Sequence, residues 1–248
     1  MVRGKFSTSG LYCADVAEYT DLLRNIGSTN PKTILCDELK KYHNCDYVVL
    51  FNTGFWALVC SIKLSLSKTS QNSVLMPSLT YRRLADAVFW AGGKPVFCEV
   101  DKQNLALDLC SVSNAVQRNK EISTVLLVQP IVGTVDLQKF IDLCNEHQIS
   151  LVVDSVESVH DTKSNKRCGS WNIPEVFSLH ASKFINGFEG GYITTNDYDD
   201  YVSLRDYCQM DNDFNLEMSP FHASVAISSL KGRETIVSHN YGVYQTYL

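Results

Sequence analysis

Residues 124–154 read TVLLVQPIVGTVDLQKFIDLCNEHQISLVVD, and this stretch decides the fold. It opens on one apolar run, Thr124 to Val128, and closes on another, Ser150 to Val153. Continuous apolar runs of this kind are expected of strands buried on both faces. Between them Leu137, Phe140, Ile141 and Cys144 recur at i, i+3, i+4 and i+7. That spacing predicts an amphipathic helix over Leu137 to Glu146.

The alternation continues in both directions. Upstream, a helix is predicted over Thr33 to His43, then a strand Tyr47 to Phe51 and a helix Gly54 to Leu66. A strand Ser73 to Met76, a helix Tyr81 to Ala91 and a strand Lys94 to Cys98 follow; downstream, strands Val176 to Leu179 and Tyr192 to Thr195 complete the set. Strand–helix alternation predicts an α/β protein, a three-layer α/β/α sandwich around a mostly parallel mixed sheet. In such sheets ligands bind beyond the carboxyl ends of the strands. Residues 1–32 lack the alternation and read as an N-terminal arm.

Composition narrows the function classes. The 248 residues are 45% hydrophobic and 20% charged, which suits a chain with a sizeable core. A formal charge of −5, with no dense Lys/Arg run, argues against a nucleic-acid partner. The longest apolar runs fall far short of the roughly 20 residues that cross a bilayer, and the opening Met1-Val2-Arg3-Gly4-Lys5 leads into polar sequence, so no membrane association is expected. The nine cysteines form no Cys-x-x-Cys, so neither a zinc site nor a disulfide frame is expected; reduced thiols in a cytoplasm are.

Three positions invite chemistry. Asn52-Thr53-Gly54-Phe55 joins a strand to a helix, where free N–H groups and the helix dipole can hold an anion, although a plain turn would read the same way. Asp154 stands at the end of a buried strand, a costly place for a carboxylate without a partner; it could equally cap the next helix. Lys183 comes after another strand and precedes the glycine-punctuated Asn186 to Gly191; by itself it could be merely solvated. Taken together on one α/β sheet, an anion cradle, a strand-end carboxylate and a loop lysine fit pyridoxal 5′-phosphate. Its phosphate needs the helix start, its pyridine nitrogen a carboxylate, and its aldehyde an amine. Tyr81, after the second strand, could stack on the ring.

The sequence resembles the DegT/DnrJ/EryC1/StrS sugar aminotransferases, of the aspartate-aminotransferase fold type, from about Asn30 to Leu230. Asn52-Thr53-Gly54-Phe55-Trp56-Ala57-Leu58 is similar to that family's phosphate turn, and Pro77-Ser78-Leu79-Thr80-Tyr81 to its Pro-Ser-x-Thr-aromatic segment. Gly92 to Asp101, Asp154 to Ser158 and Gly169-Ser170 match further blocks. Ser178-Leu179-His180-Ala181-Ser182-Lys183 resembles Ser-Phe-His-Pro-Thr-Lys, with Glu189-Gly190-Gly191 behind it, and Asn215 and Met218-Ser219 fall where Asn-x-Arg-Met-Ser lies. The resemblance implies that Lys183 is the Schiff-base lysine and proton shuttle, that Asp154 pairs with the pyridine nitrogen and that Tyr81 stacks. It gives the phosphate to Gly54, Phe55 and Ser178, with Asn215 arriving from the partner subunit of a homodimer. Glutamate would donate the amino group to a keto carbon of a nucleotide-linked deoxysugar. His180 reads as structural, with no metal implied.

Five positions depart from the pattern: Phe55 for Thr, Glu157 for the Gln on the ring-oxygen side of the cofactor, Val159 for His, Phe184 for Asn and Glu217 for Arg. Residues 33–230 are expected to form the cofactor-binding large domain and residues 231–248 the short beginning of a small C-terminal domain. That brevity and those departures raise a second expectation, namely a catalytically impaired homologue serving dimerisation or partner binding.

Overall fold

In the computed structural model, described residues are 5–6, 12–13, 16–24, 30–130, 135–163, 166–209 and 215–247. The elements are β1 (Lys5–Phe6), β2 (Tyr12–Cys13), α1 (Val16–Arg24), α2 (Pro31–His43), β3 (Tyr47–Phe51), α3 (Gly54–Ser67) and β4 (Ser73–Pro77). There follow α4 (Arg83–Trp90), β5 (Lys94–Cys98), α5 (Leu109–Arg118), β6 (Ile122–Val128), α6 (Leu137–His147) and β7 (Ser150–Asp154). The chain then forms β8 (Thr162–Lys163), β9 (Lys166–Arg167), β10 (Glu175–Ser178), β11 (Gly191–Thr195), α7 (Tyr198–Cys208), α8 (Pro220–Lys231) and α9 (Arg233–Gln245).

Seven strands form one sheet in the order β3-β11-β10-β7-β6-β4-β5. Within it β11 runs antiparallel to both its neighbours, and the other pairings are parallel. Strand periodicity divides the core. On one face Val49, Phe51, Leu126, Val152, Val176 and Ile193 pack under α3, α4 and α7. On the other, Val48, Leu50, Phe177 and Tyr192 meet α2 and α8, while Val125, Leu127, Leu151 and Val153 meet α5 and α6. The result is the expected three-layer sandwich.

Register aligns the strand ends that matter. Asp154 sits opposite Val128 on one side and Val176 on the other. Gly191 faces Ser178 on one side and Phe51 on the other. The turn after β3, the end of β10 and the end of β7 therefore open on the same edge of the sheet, the carboxyl ends of its parallel strands.

Local differences from the sequence reading have local causes. Helix α2 begins at Pro31, two residues earlier than predicted, because Asn30 caps it by accepting from Lys32 N at 3.0 Å and proline suits the first helical position. Helix α4 begins only at Arg83, since Tyr81 remains in the turn that precedes it. The arm carries α1, which lies against α8. A buried polar chain, missed in the sequence, braces the α2 side: His43 Nδ1 donates to the Cys168 carbonyl (2.6 Å), and Nε2 accepts from the Tyr192 hydroxyl (2.8 Å). Burial holds His43 down to about 4, so it stays neutral in this network. Burial also pushes the thiols of Cys45, Cys60, Cys144 and Cys208 up to about 12, which makes them packing groups and not nucleophiles.

Candidate active site

Helix α3 starts at Gly54 because Thr53, extended at φ −146°, caps it by accepting from Trp56 N at 3.1 Å. Among the described residues nothing accepts from the Gly54 and Phe55 amides, the orphan donors of the first turn. Three backbones converge there. A Cβ on Gly54 would lie 2.9 Å from Ser178 Cβ and 3.0 Å from Ser178 Oγ, and one on Gly191 would lie 2.5 Å from Gly54 Cα. The hydroxyl of Ser178 accepts from His180 N at 3.2 Å and remains beside the helix start. This cradle of amides and a hydroxyl has the composition of an anion site.

Asp154 ends β7 almost wholly buried, with its Oδ1 accepting from Val156 N at 3.1 Å. Burial pushes its carboxyl up to about 6, against the lowering pull of the Val156 amide and the Lys183 charge; Glu157 adds to the rise. Lys183, in the loop after β10, donates from Nζ to Glu157 Oε1 in a close ion pair. His180 ties this loop together: its Nδ1 accepts from Ser182 N (3.2 Å) and lies 2.9 Å from Ser182 Oγ, while Nε2 faces Glu189 at 3.7 Å.

The remaining candidates fall at different distances from this centre. Tyr81 lies beyond β4 and is 70% exposed, with no aromatic partner among the described residues. Phe55 turns away from the cradle, its ring under the Arg83 guanidinium at 4.5 Å. Asn215 lies beside the turn of its own chain: its carbonyl accepts from Asn52 Nδ2 at 3.4 Å, and its Oδ1 accepts from Glu217 N at 2.7 Å. Asn52 N in turn donates to the Leu216 carbonyl at 2.7 Å, so residues 215–217 buttress the helix start.

The unusual residues acquire reasons from the packing. Val159 is buried with Phe184 against the α2–α8 side, and the Phe184 ring meets His160 at 4.9 Å. His160 Nδ1 accepts from Tyr42 OH (2.7 Å) and from Arg167 (3.3 Å), which places the imidazole proton on Nε2. Glu217 pairs with Lys32 at 2.5 Å and accepts from Gln209 at 2.8 Å, and these two bonds hold its carboxyl below the usual range. The sequence reading placed Asn52 and Thr53 in the turn and Gly191 in Glu189-Gly190-Gly191 but gave none of the three its own part in shaping the cradle.

A groove of about 230 Å³ lies at the other end of the sheet, beside Ser150 and Pro174, where Lys68 pairs with Asp200 at 2.6 Å. Among the described residues, no set of three or more His, Cys, Asp or Glu side chains could hold a metal ion, and no helix is long and apolar enough to cross a membrane.

Comparison with known proteins gives this geometry a lineage. The chain is similar to GDP-perosamine synthase of Vibrio cholerae, 28% identical over 132 residues, covering 53% of this chain and 35% of the relative. It is similar to UDP-4-amino-4,6-dideoxy-N-acetyl-beta-L-altrosamine transaminase of Helicobacter pylori, 24% identical over 215 residues, 81% of this chain and 56% of the relative. The chain thus spans about a third to just over half the length of these relatives. Its fold matches that of 3-amino-5-hydroxybenzoic acid synthase with a TM-score of 0.83 and 18% identity, covering 93% of this chain and 64% of that one. The sequence pattern of one family matches residues 17–248, nearly the whole chain. By that match the chain belongs to the DegT/DnrJ/EryC1/StrS aminotransferase family.

Proposed function

We propose that this chain binds pyridoxal 5′-phosphate at the carboxyl edge of its sheet and transfers an amino group to a keto carbon of a nucleotide-linked deoxysugar, with glutamate as donor. The observation that carries the reading is a buried Asp154 whose carboxyl feels the Lys183 charge, on the same sheet edge as the open first turn of α3. The residues fit the cofactor. The Gly54 and Phe55 amides with Ser178 Oγ would hold the phosphate, and a side chain at position 54 would fill the cradle. Asp154 would keep the ring nitrogen protonated, and that pairing would relieve a carboxylate otherwise costly to ionise. When bound, the cofactor supplies an electron sink for the amino-group transfer. Lys183 would anchor the cofactor through Nζ and afterwards take up and return the proton at Nζ as the amino group moves.

In this reading Tyr81, now exposed, stacks on the ring, and Glu157 lies on its oxygen side. Asn215, near its own chain's turn, serves the partner's phosphate across a homodimer. Residues 33–230 form the cofactor domain, residues 231–248 open a second one, and the enzyme works in the cytoplasm on precursors of surface polysaccharide or amino sugars.

Visible absorption tests this. The chain mixed with pyridoxal phosphate should show a band that borohydride discharges and that Lys183→Ala lacks altogether, followed by conversion of the cofactor to its amine form on adding glutamate. Indistinguishable spectra for the two chains would sink the enzyme reading and leave a dimerisation or partner-binding domain.

A further inference from the structure

We propose that Glu157 is a positioning residue that controls when Lys183 is free to form an imine, holding its ammonium until a carbonyl compound is captured. The inference rests on the pyridoxal phosphate reading and concerns a carboxylate that the family pattern does not provide. Glu157 lies just past the end of β7 and Lys183 in the loop after β10, so two separately tethered segments supply the pair. The lysine side chain is 18% exposed and the glutamate 41%, which puts the amine inside and the carboxylate at the solvent edge. The other charged groups nearby are otherwise engaged. Asp154 accepts from the Val156 amide and acts on Lys183 through its charge without a hydrogen bond, and His180 faces Glu189. Glu157 is therefore the carboxylate in hydrogen-bond contact with Lys183 among the described residues.

An amine attacks a carbonyl only after it has lost a proton and exposed its lone pair, and a touching carboxylate opposes both. When the contact opens, Lys183 gives its ammonium proton to solvent, the nitrogen bonds to the carbonyl carbon, and the two remaining N–H hydrogens leave with the carbonyl oxygen as water while the C=N bond forms. Glu157 thus withholds the amine by an ion pair that a neutral glutamine would not make.

Reductive methylation of the cofactor-free chain with formaldehyde and cyanoborohydride, read by peptide mass spectrometry, tests the hold directly. Lys183 should label about two- to fivefold faster in Glu157→Gln than in wild type, the range expected on losing an ion pair at the solvent edge. Lys139, well exposed on α6, should label equally in both. Glu157→Ala should move in the same direction, and circular dichroism should show both variants folded, since the site is at the solvent edge. In a second arm, borohydride-trapped adduct at Lys183 should appear at lower pyridoxal phosphate concentration in Glu157→Gln. Equal labelling of Lys183 in all three chains overturns the proposal. Faster labelling with no adduct in any chain would leave the hold standing and remove the cofactor reading instead.

Discussion

Asp154→Asn should produce a chain that is harder to unfold and that no longer retains pyridoxal phosphate. The carboxyl of Asp154 is almost wholly buried and is pushed up from an ordinary 3.8 to about 6. Between those values the folded chain binds a proton that the unfolded chain has lost, so the stability Asp154 contributes is full below 3.8 and disappears as pH rises through 6. At pH 8 a rise of about two units is worth about 3 kcal/mol, which the neutral amide would recover. By pH 5 the advantage of the variant should fall to about half. Urea unfolding of the cofactor-free chains at the two pH values measures this. Equal stabilities at pH 8 would mean that Asp154 is better solvated than its burial indicates. An amide cannot hold the ring nitrogen protonated, so cofactor affinity should drop on the order of 100-fold, the scale of breaking a buried charge pair. The two shifts have opposite signs, and their coexistence would mark a position kept for its ligand at the expense of the fold.

Gly191→Ala should strike the fold and the anion cradle together. The new Cβ would stand 2.5 Å from Gly54 Cα, 2.7 Å from Gly54 N and 2.8 Å from the Thr53 carbonyl, all backbone atoms that no rotamer change can move. Either β11 separates from β3 or the first turn of α3 shifts. Overpacking of this kind costs about 3 kcal/mol. For a chain of this size the midpoint of thermal unfolding should drop by about 6–12 °C. Gly242→Ala is the control, because nothing lies within 4 Å of its Cβ position in α9 and alanine favours the helix. A Gly191→Ala midpoint within about 2 °C of wild type would contradict the close approach of these backbones.

The sheet was legible because its strands are apolar on both faces, a pattern that loops and surface helices do not imitate. Helix α8 was not legible. No helix was assigned to Pro220–Lys231 from the sequence, where Ser224, Ser228 and Ser229 are buried, with Ser224 Oγ donating to the Pro220 carbonyl at 2.9 Å and Ser229 Oγ accepting from Asn186 N at 3.0 Å. Small hydroxyl residues let that helix pack closely while concealing its period. Helix α5 offers only Val112 and Val116 to the core, too short a stripe to stand out. At the candidate site, Asp154, Lys183, Gly54 and Ser178 were visible because each follows or ends a strand. The Lys183–Glu157 pair was not, since contact between two loops depends on the register of the strands that carry them. Val159 and Phe184 read as lost polar groups, and only their packing beside His160 and α2 shows what was gained.

The pairing of β3 with β11 bears on how the chain is born. Phe51 meets Gly191 across about 140 residues of sequence, and at roughly 5–20 residues per second a ribosome takes about 7–30 seconds to cover that gap. Through this interval β3 and the strongly apolar α3 have emerged without the strand that covers them. Contacts so distant in sequence are slow to form and leave hydrophobic surface open to aggregation. The cradle at the start of α3 is therefore assembled late in synthesis, and the nascent chain is expected to depend on chaperones until residue 195 has cleared the exit tunnel.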